Sequence, residues 1–345
     1  MKSSYNRRKF IGSAALATIG LGFGANSFAA GNKKQSAAPG KRVGMIGLDT
    51  SHSIAFSKVL NDAAAAPEYG GYKVVAAYPH GSKDIKSSVD RIPGYTEDAK
   101  KLGVAIVASI EELLKQVDVV LLETNDGRLH LEQALPVLKA GKRLFIDKPV
   151  AASLKDAVAI YEAAKKYDVP VFSSSSLRYT KSAQEIAQGK IIGKVLGAET
   201  FSPCKLEPTH PDLFWYGIHG VELLYTVMGK GCKTVVRIQT PDTDLVAGTW
   251  EDGRIGTFRG LRGGKTDYGG RAFGSNKIAE IGGYEGYNAL LVQIAEFFNS
   301  GKPPVSAEDT IEIFAFMEAA DESKRKKGVP VSLDEVLRKA GSKKV

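Results

Sequence analysis

A lysine followed by a proline stands directly after an apolar run: Arg143-Leu144-Phe145-Ile146 leads into Asp147-Lys148-Pro149. In open α/β sheets ligands bind at the carboxyl ends of the strands, and a proline fixes the turn that would present this ammonium there. A cation so placed is held rather than waving in solvent. The bland alternative is a surface lysine in a strand-to-helix loop, which makes its neighbours decisive. His219 carries an imidazole, which titrates near neutral pH. Glu222 shares its helix face by i, i+3 spacing. Just upstream, Trp215 and Tyr216 offer aromatic surface for stacking or for core packing, with His210 and Asp212 as further polar groups.

These groups need a scaffold, and the pattern supplies one. After a stretch rich in Gly, Lys, Ser, Ala and Pro over residues 31–41, short β-branched runs alternate with helical periodicity. Strands are expected at Val43 to Gly47, Lys73 to Tyr78, Val104 to Val107, Asp118 to Leu122, Arg143 to Asp147 and Pro170 to Ser173. Between them, Leu131, Ala134, Leu135 and Leu138 share one helical face, and Ser153-Leu154-Lys155-Asp156 opens a helix with a capping-box-like arrangement. Such alternation specifies a doubly wound parallel sheet, here over residues 42–175. Over 176–345 the character changes. Helices are expected at Ser182 to Gln188, Phe214 to Met228, Tyr287 to Asn299 and Ala307 to Lys326, with strands at Lys233 to Gln239, Leu245 to Trp250 and Ile255 to Gly260. This predicts an α+β domain with an open, mostly antiparallel sheet. The Gly-rich stretch from Gly263 to Gly274 reads as either an ordered binding loop or a mobile excursion.

The loop after the first strand, Gly47-Leu48-Asp49-Thr50-Ser51-His52, stands where a dinucleotide fingerprint belongs. In G-x-G-x-x-G the three glycines allow the tight turn, the approach of pyrophosphate and close helix packing. Here only Gly47 remains, with Asp49 and His52 in the other two places. A carboxylate about 5 Å from a phosphate charge, at an effective dielectric of about 20, disfavours binding by roughly 3 kcal/mol. If phosphate lies there, Asp49→Gly should tighten cofactor binding. The competing reading is that Asp49, Thr50 or Ser51 caps the following helix and occupies the amides a phosphate would want. Near the end of the second strand the ribose-binding acid is missing too. Tyr78-Pro79-His80-Gly81-Ser82-Lys83 suits either a 2′-phosphate or a plain polar loop, so NAD and NADP both stay open.

Composition narrows the class. The 345 residues are 43% hydrophobic and 25% charged, as in ordinary globular proteins. Of the formal charge of +9, four positive charges (Lys2, Arg7, Arg8, Lys9) lie in the first thirty residues, which contain no acid, leaving +5 elsewhere. The other cations are spread among acids, so no nucleic-acid footprint is expected. Asn6-Arg7-Arg8-Lys9-Phe10 precedes an uncharged stretch ending Ser27-Phe28-Ala29-Ala30, which reads as an export signal of twin-arginine type over residues 1–30. Its glycines dilute the apolarity a membrane anchor would need. Cleavage would leave a periplasmic protein with no membrane segment. Cys204 and Cys232 are the only cysteines. They match no metal-binding spacing, no metal site is expected, and both read as small apolar fillers.

Taken in order, several segments resemble the Gfo/Idh/MocA family of sugar and cyclitol oxidoreductases. Asp118 to Asn125 followed by His130 and Ala140-Gly141-Lys142 resembles the family's strand-loop-His-helix and AGK element. Asp147-Lys148-Pro149 resembles its EKP motif with Asp for Glu, Arg178-Tyr179 its arginine-aromatic pair, and His219-Gly220-Val221-Glu222 its H-x-x-D helix with Glu for Asp. The resemblance implies a Rossmann domain, a second α/β domain and an active site between them. It implies hydride exchange between NAD or NADP and a carbon bearing a hydroxyl. Lys148 and His219 would be catalytic. Gly47, Asp49, Thr50, Ser51, His52, Thr124, Asn125, His130 and Asp147 would lie against the cofactor, with His130 orienting its loop. Arg178, Trp215, Tyr216 and Glu222 would face the substrate. Where the family often has an acid four residues before the histidine, this chain has Trp215. A homo-oligomer is implied by the same resemblance.

Nicotinamide nucleotides are scarce outside the cytoplasm, so an exported enzyme is expected to hold its cofactor tightly. Two other readings remain. One is a redox-neutral glycoside-cleaving enzyme that oxidises a ring hydroxyl transiently. The other is a non-catalytic sugar-binding protein on an altered oxidoreductase scaffold.

Overall fold

The β-branched runs become strands of a six-stranded parallel sheet. Its members are β1 (Arg42–Ile46), β2 (Lys73–Tyr78), β3 (Ala105–Ile106), β4 (Val119–Leu122), β5 (Leu144–Ile146) and β6 (Val171–Ser173), in the order β3-β2-β1-β4-β5-β6. The order reverses between β1 and β4, which makes their carboxyl ends a topological switch point. Helices α1 (Ser51–Asn61), α2 (Lys86–Val89), α3 (Ile92–Lys101), α4 (Ile110–Leu114), α5 (His130–Lys139) and α6 (Leu154–Tyr167) connect them. Local chemistry sets several starts: Thr50, Ser109 and Ser153 accept from the amides of Ser53, Glu112 and Asp156. Strands β4 and β5 are buried on both faces, which is why they read as unbroken apolar runs. The computed structural model describes residues 40–342. The export signal expected over 1–30, and all but the end of the linker expected over 31–41, lie outside the described residues.

The second half builds a seven-stranded sheet in the order β12-β11-β7-β10-β9-β8-β13. Its elements are α7 (Lys181–Ala187), β7 (Val195–Pro203), α8 (Ile218–Met228), β8 (Cys232–Gln239), β9 (Thr243–Trp250), β10 (Ile255–Leu261), β11 (Gly269–Gly274), β12 (Ile278–Ile281), α9 (Asn288–Ser300), α10 (Ala307–Arg325), β13 (Val331–Ser332) and α11 (Leu333–Lys339). Only β7 and β10 pair in parallel, so the sheet is mostly antiparallel, as expected. Strands β7, β11, β12 and β13 are additions to the sequence reading. The second part of the Gly-rich stretch is therefore neither a binding loop nor an excursion but strand β11.

The helix expected from Phe214 begins as a π-helical turn, Leu213–Gly217, before α8. The division at residue 175 separates the two sheets but not their packing. Phe297 on α9 stacks edge-on against Phe172 of β6, at 4.8 Å between centroids, and Phe172 meets Phe145 at 5.0 Å. Helix α9 thus covers the first sheet, in one apolar cluster with Val43, Val119 and Phe145. Cys204 and Cys232 are free and buried, and burial pushes both thiols up to about 12. Among the described residues, no helix is long and apolar enough to cross a membrane.

Candidate active site

The carboxyl ends of β1, β4 and β5 deliver Asp49, Glu123 and Asp147-Lys148 to one place. Lys148 is 9% exposed, and its Nζ lies 3.8 Å from Asp147 Oδ2 and 6.0 Å from the centre of the Tyr216 ring. The bond from Lys148 to Pro149 is cis. His219, at the start of α8, packs its ring 5.6 Å from that of Tyr216 and 5.7 Å from that of Tyr268. Lys148 and His219 therefore approach the same tyrosine, and the β5 loop and α8 converge on it. Burial first, then the charge of Lys148, holds the His219 imidazole well below its ordinary value. It is neutral at neutral pH, and its Nδ1 lies 2.8 Å from Ser175 Oγ. That hydroxyl also accepts the Leu177 amide. With Nδ1–H donating to Ser175, Nε2 keeps its lone pair for a proton.

Lys148 opens onto a cleft of about 340 Å³, lined also by Thr50, Ser51, His52, Asn125, Trp215 and Tyr216 of the expected residues and by Arg91, Lys205 and Glu207 besides, with His219 behind Tyr216 and outside the lining. Three cations against one acid suit an anionic ligand. Two larger grooves, of about 830 and 880 Å³, are lined by neither Lys148 nor His219. Trp215 is 9% exposed and tilts against His210 with centroids 4.9 Å apart, so it serves both the packing and the cleft wall.

The Asp49 side chain does not face a phosphate. It is fully buried, with Oδ2 accepting the Ser82 amide at 3.1 Å and Oδ1 the Asn125 amide at 3.0 Å. It stitches together the loops that follow β1, β2 and β4, and burial raises its pKa. A Cβ on Gly81 would fall 2.0 Å from Asp49 Oδ2, so the carboxylate occupies space that a side chain there would take. The cap of α1 is Thr50, and no acid lies in that helix's first turn. The electrostatic objection to a nucleotide thereby disappears. The residues fit a nicotinamide dinucleotide: the start of α1 at Ser51 and His52, Arg91, Asn125 and Lys148 would hold it. Asp49→Gly should accordingly not tighten nucleotide binding. Leaving two buried amides unpaired, it is expected to cost about 2 kcal/mol of stability, read as a lower urea midpoint, with calorimetry showing nucleotide affinity unchanged or weaker.

Other expected contacts are internal. Glu222 accepts from Ser174 Oγ at 2.6 Å, from the Ser175 amide at 2.8 Å and from Arg178 Nε at 2.7 Å. Arg178 and Glu222 thus pair and fix the loop carrying Ser175, while Arg178 Nη2 has no partner among the described residues. Glu222 acts on His219 through Ser175. His130 is fully buried, with Nε2 2.6 Å from Thr124 O and Nδ1 3.2 Å from Val150 O. It ties the β4 loop to the β5 loop, the orienting part expected of it. Thr124 is buried beneath Gly47, whose added Cβ would meet the Thr124 nitrogen at 2.5 Å. The positive φ of Gly47, +87°, belongs to the tight turn the fingerprint's first glycine makes.

Glu123 was missed as a site residue. It is fully buried, and its only sequence signal is an acid ending the apolar run of β4. Arg91 and Lys205 were missed as well, being surface-type residues with no motif.

Residues 41–175 match the family model described as "Oxidoreductase family, NAD-binding Rossmann fold". An uncharacterised oxidoreductase of Streptococcus pneumoniae is 26% identical over 158 residues, covering 44% of this chain and 42% of that protein. The 1,5-anhydro-D-fructose reductase of Ensifer adhaerens is 34% identical over 108 residues, 30% of this chain and 32% of that protein. The matches thus span less than half the length of these curated relatives. Among solved structures, scyllo-inositol dehydrogenase from Lactobacillus casei, with bound NAD(H) and scyllo-inositol, superposes with a TM-score of 0.67 at 16% identity, over 85% of this chain and 99% of that one. Myo-inositol 2-dehydrogenase from Lactobacillus plantarum gives 0.68 at 17%, over 84% and 98%. These likenesses establish the two-sheet fold. Residues 41–175 are thus similar to the NAD-binding Rossmann domain of the Gfo/Idh/MocA oxidoreductases.

Proposed function

We propose that this protein is an NAD(P)-dependent oxidoreductase that exchanges hydride between nicotinamide and the hydroxyl-bearing carbon of a sugar, glycoside or cyclitol. The observation that carries the reading is the convergence of Lys148 and a neutral His219 on Tyr216, at a cationic cleft over the switch point of a Rossmann sheet. When bound, the nicotinamide supplies the hydride acceptor. The chain's own groups do the rest: Lys148 Nζ donates to the substrate hydroxyl and stabilises its developing negative charge. His219 Nε2 takes the proton, with Ser175 holding the ring's other nitrogen. Trp215 and Tyr216 offer flat surface to the ring of the substrate. The polyol-acting relatives support this class of substrate.

Incubating the protein with NAD or NADP and a panel of cyclitols, aldoses and glycosides tests the reading by absorbance at 340 nm. Reduction that depends on one of these substrates supports it, and none across the panel with either nucleotide speaks against it. Because His219 must be neutral to accept the proton, oxidation is lost only as pH falls through its lowered value. The kcat/KM profile should be flat from pH 8 down to about 6.5, the ordinary histidine value, and fall only below it. An acid limb centred above that would contradict this role.

The export reading of residues 1–30 accompanies the proposal, with periplasmic delivery of the folded protein and a retained cofactor. Self-association does too: Ile238, Ile255 and Ile278, each at least 58% exposed, are strand residues of the second sheet. Light scattering at micromolar concentration should give a dimer or larger, and a monomer would contradict it.

A further inference from the structure

His52, Glu123 and Asp147 bring five buried ligating atoms together, and beyond the close approach of His52 to Asp147 these atoms have no partner among the described residues. His52 Nδ1, both oxygens of Glu123 and both of Asp147 are buried and have no hydrogen-bond partner among the described residues. Buried polar groups are paired in roughly nine cases of ten or more, so five together mark a missing component. His52 Nδ1 and Asp147 Oδ2 form a close pair at 2.9 Å, and one ligand atom from each of the three side chains lies within 4.8 Å of the others. Glu123 and Asp147 are 0% and 1% exposed, so water does not solvate them. The nearest cation is Lys148, at 3.8 Å from Asp147, too far to donate a hydrogen bond to it.

We infer that His52, Glu123 and Asp147 form a binding site for one divalent first-row transition-metal cation, a site beside Lys148 that shares His52 with the nucleotide cleft. One imidazole with two carboxylates is a donor set for zinc- or manganese-type ions rather than for magnesium, which prefers oxygen ligands and retained water. Two carboxylate charges answer the charge of the ion. The elements explain why the three residues meet: Glu123 and Asp147 end neighbouring strands, β4 and β5, and His52 lies in the first turn of α1, over their carboxyl ends.

The test uses the full chain, stripped with a chelator and desalted. Zn²⁺ alone is titrated by calorimetry, and bound metal is counted by plasma mass spectrometry after dialysis, with Mg²⁺ as the comparison ion. The proposal expects one Zn²⁺ per chain at micromolar affinity or tighter, little response to Mg²⁺, and a thermal midpoint that rises with Zn²⁺ concentration. Glu123→Gln keeps size and shape and should weaken Zn²⁺ binding by about a hundredfold or more. His52→Ala, a change at a side chain 12% exposed, should do the same and covers the case in which the first variant fails to fold. Failure to bind at millimolar Zn²⁺, or equal affinity in wild type and either folded variant, would overturn the site. Since no turnover is measured, this outcome is independent of the nicotinamide reading.

Discussion

Lys148→Ala is expected to lower kcat/KM by about a thousandfold, because charge stabilisation at a reacting oxygen is worth roughly 10²–10³ and positioned proton donors 10²–10⁴. The loss should fall mainly on kcat. The ammonium's partner in the proposed reaction is charge that develops as hydride leaves, which the ground state lacks. The structure also says what the substitution does to folding. Lys148 is packed at the end of β5 with only Asp147 as an ion-pair partner, at 3.8 Å. Its removal takes away a cation near two buried carboxyls but breaks no side-chain hydrogen bond of its ammonium among the described residues. The thermal midpoint should therefore move little, and Lys148→Met, which keeps the volume of the stem, should match the alanine variant in activity. Near-normal turnover in either variant would remove Lys148 from the chemistry. A large fall in stability would show that the lysine holds the strand ends together.

The largest effect on stability is expected far from the sequence motifs. Arg237 on β8 is 2% exposed and reaches three carboxylates: Asp244 at 2.9 Å through Nε, Asp212 at 2.8 Å through Nη2, and Asp321 through Nη1. Asp244 is also bound by Arg262, and Asp212 by Lys324. Removing one partner of a buried ion network leaves the others charged and undersolvated, at a cost of about 3–5 kcal/mol. Arg237→Ala should show that loss in urea melts. The consequence reaches the cleft, because Asp212 immediately precedes the π-helical turn that carries Trp215 and Tyr216. A folded Arg237→Ala protein should have a raised KM for the polyol with nucleotide affinity unchanged. A stability change under 1 kcal/mol would mean that solvent or Lys324 takes over the arginine's role.

Most of the first sheet was legible because buried parallel strands are written as short apolar runs, and β1, β2, β4 and β5 fall within a residue or so of where those runs place them. Strand β11 was hidden by its glycines, which composition assigns to loops. In the structure a Cβ on Gly270 would meet Glu199 O at 2.3 Å, so this glycine permits a close approach between β11 and β7. At the site, the positions of Lys148 and His219 follow from where strands and helices end, which periodicity reveals. The direction of a side chain does not. Asp49 looked like an obstacle to phosphate because its place in the fingerprint was known but not which amides its carboxylate accepts. Arg178 and Glu222 were expected to face a substrate because their mutual ion pair joins segments far apart in the chain. The His52, Glu123 and Asp147 cluster was invisible for the same reason, its members coming from three separate strand-to-helix junctions with no common spacing.

The account rests on a nicotinamide nucleotide held at the carboxyl edge of the first sheet, with Asp49 turned under and the start of α1 open. The direct measurement is to denature the purified protein, assay the released fraction for NAD(H) and NADP(H), and titrate nucleotide-free protein with both by calorimetry. Released nucleotide approaching one per chain, or binding well below millimolar, is the predicted result. No released nucleotide together with no binding at millimolar concentration would contradict it, and would leave the Rossmann sheet as a scaffold for some other ligand.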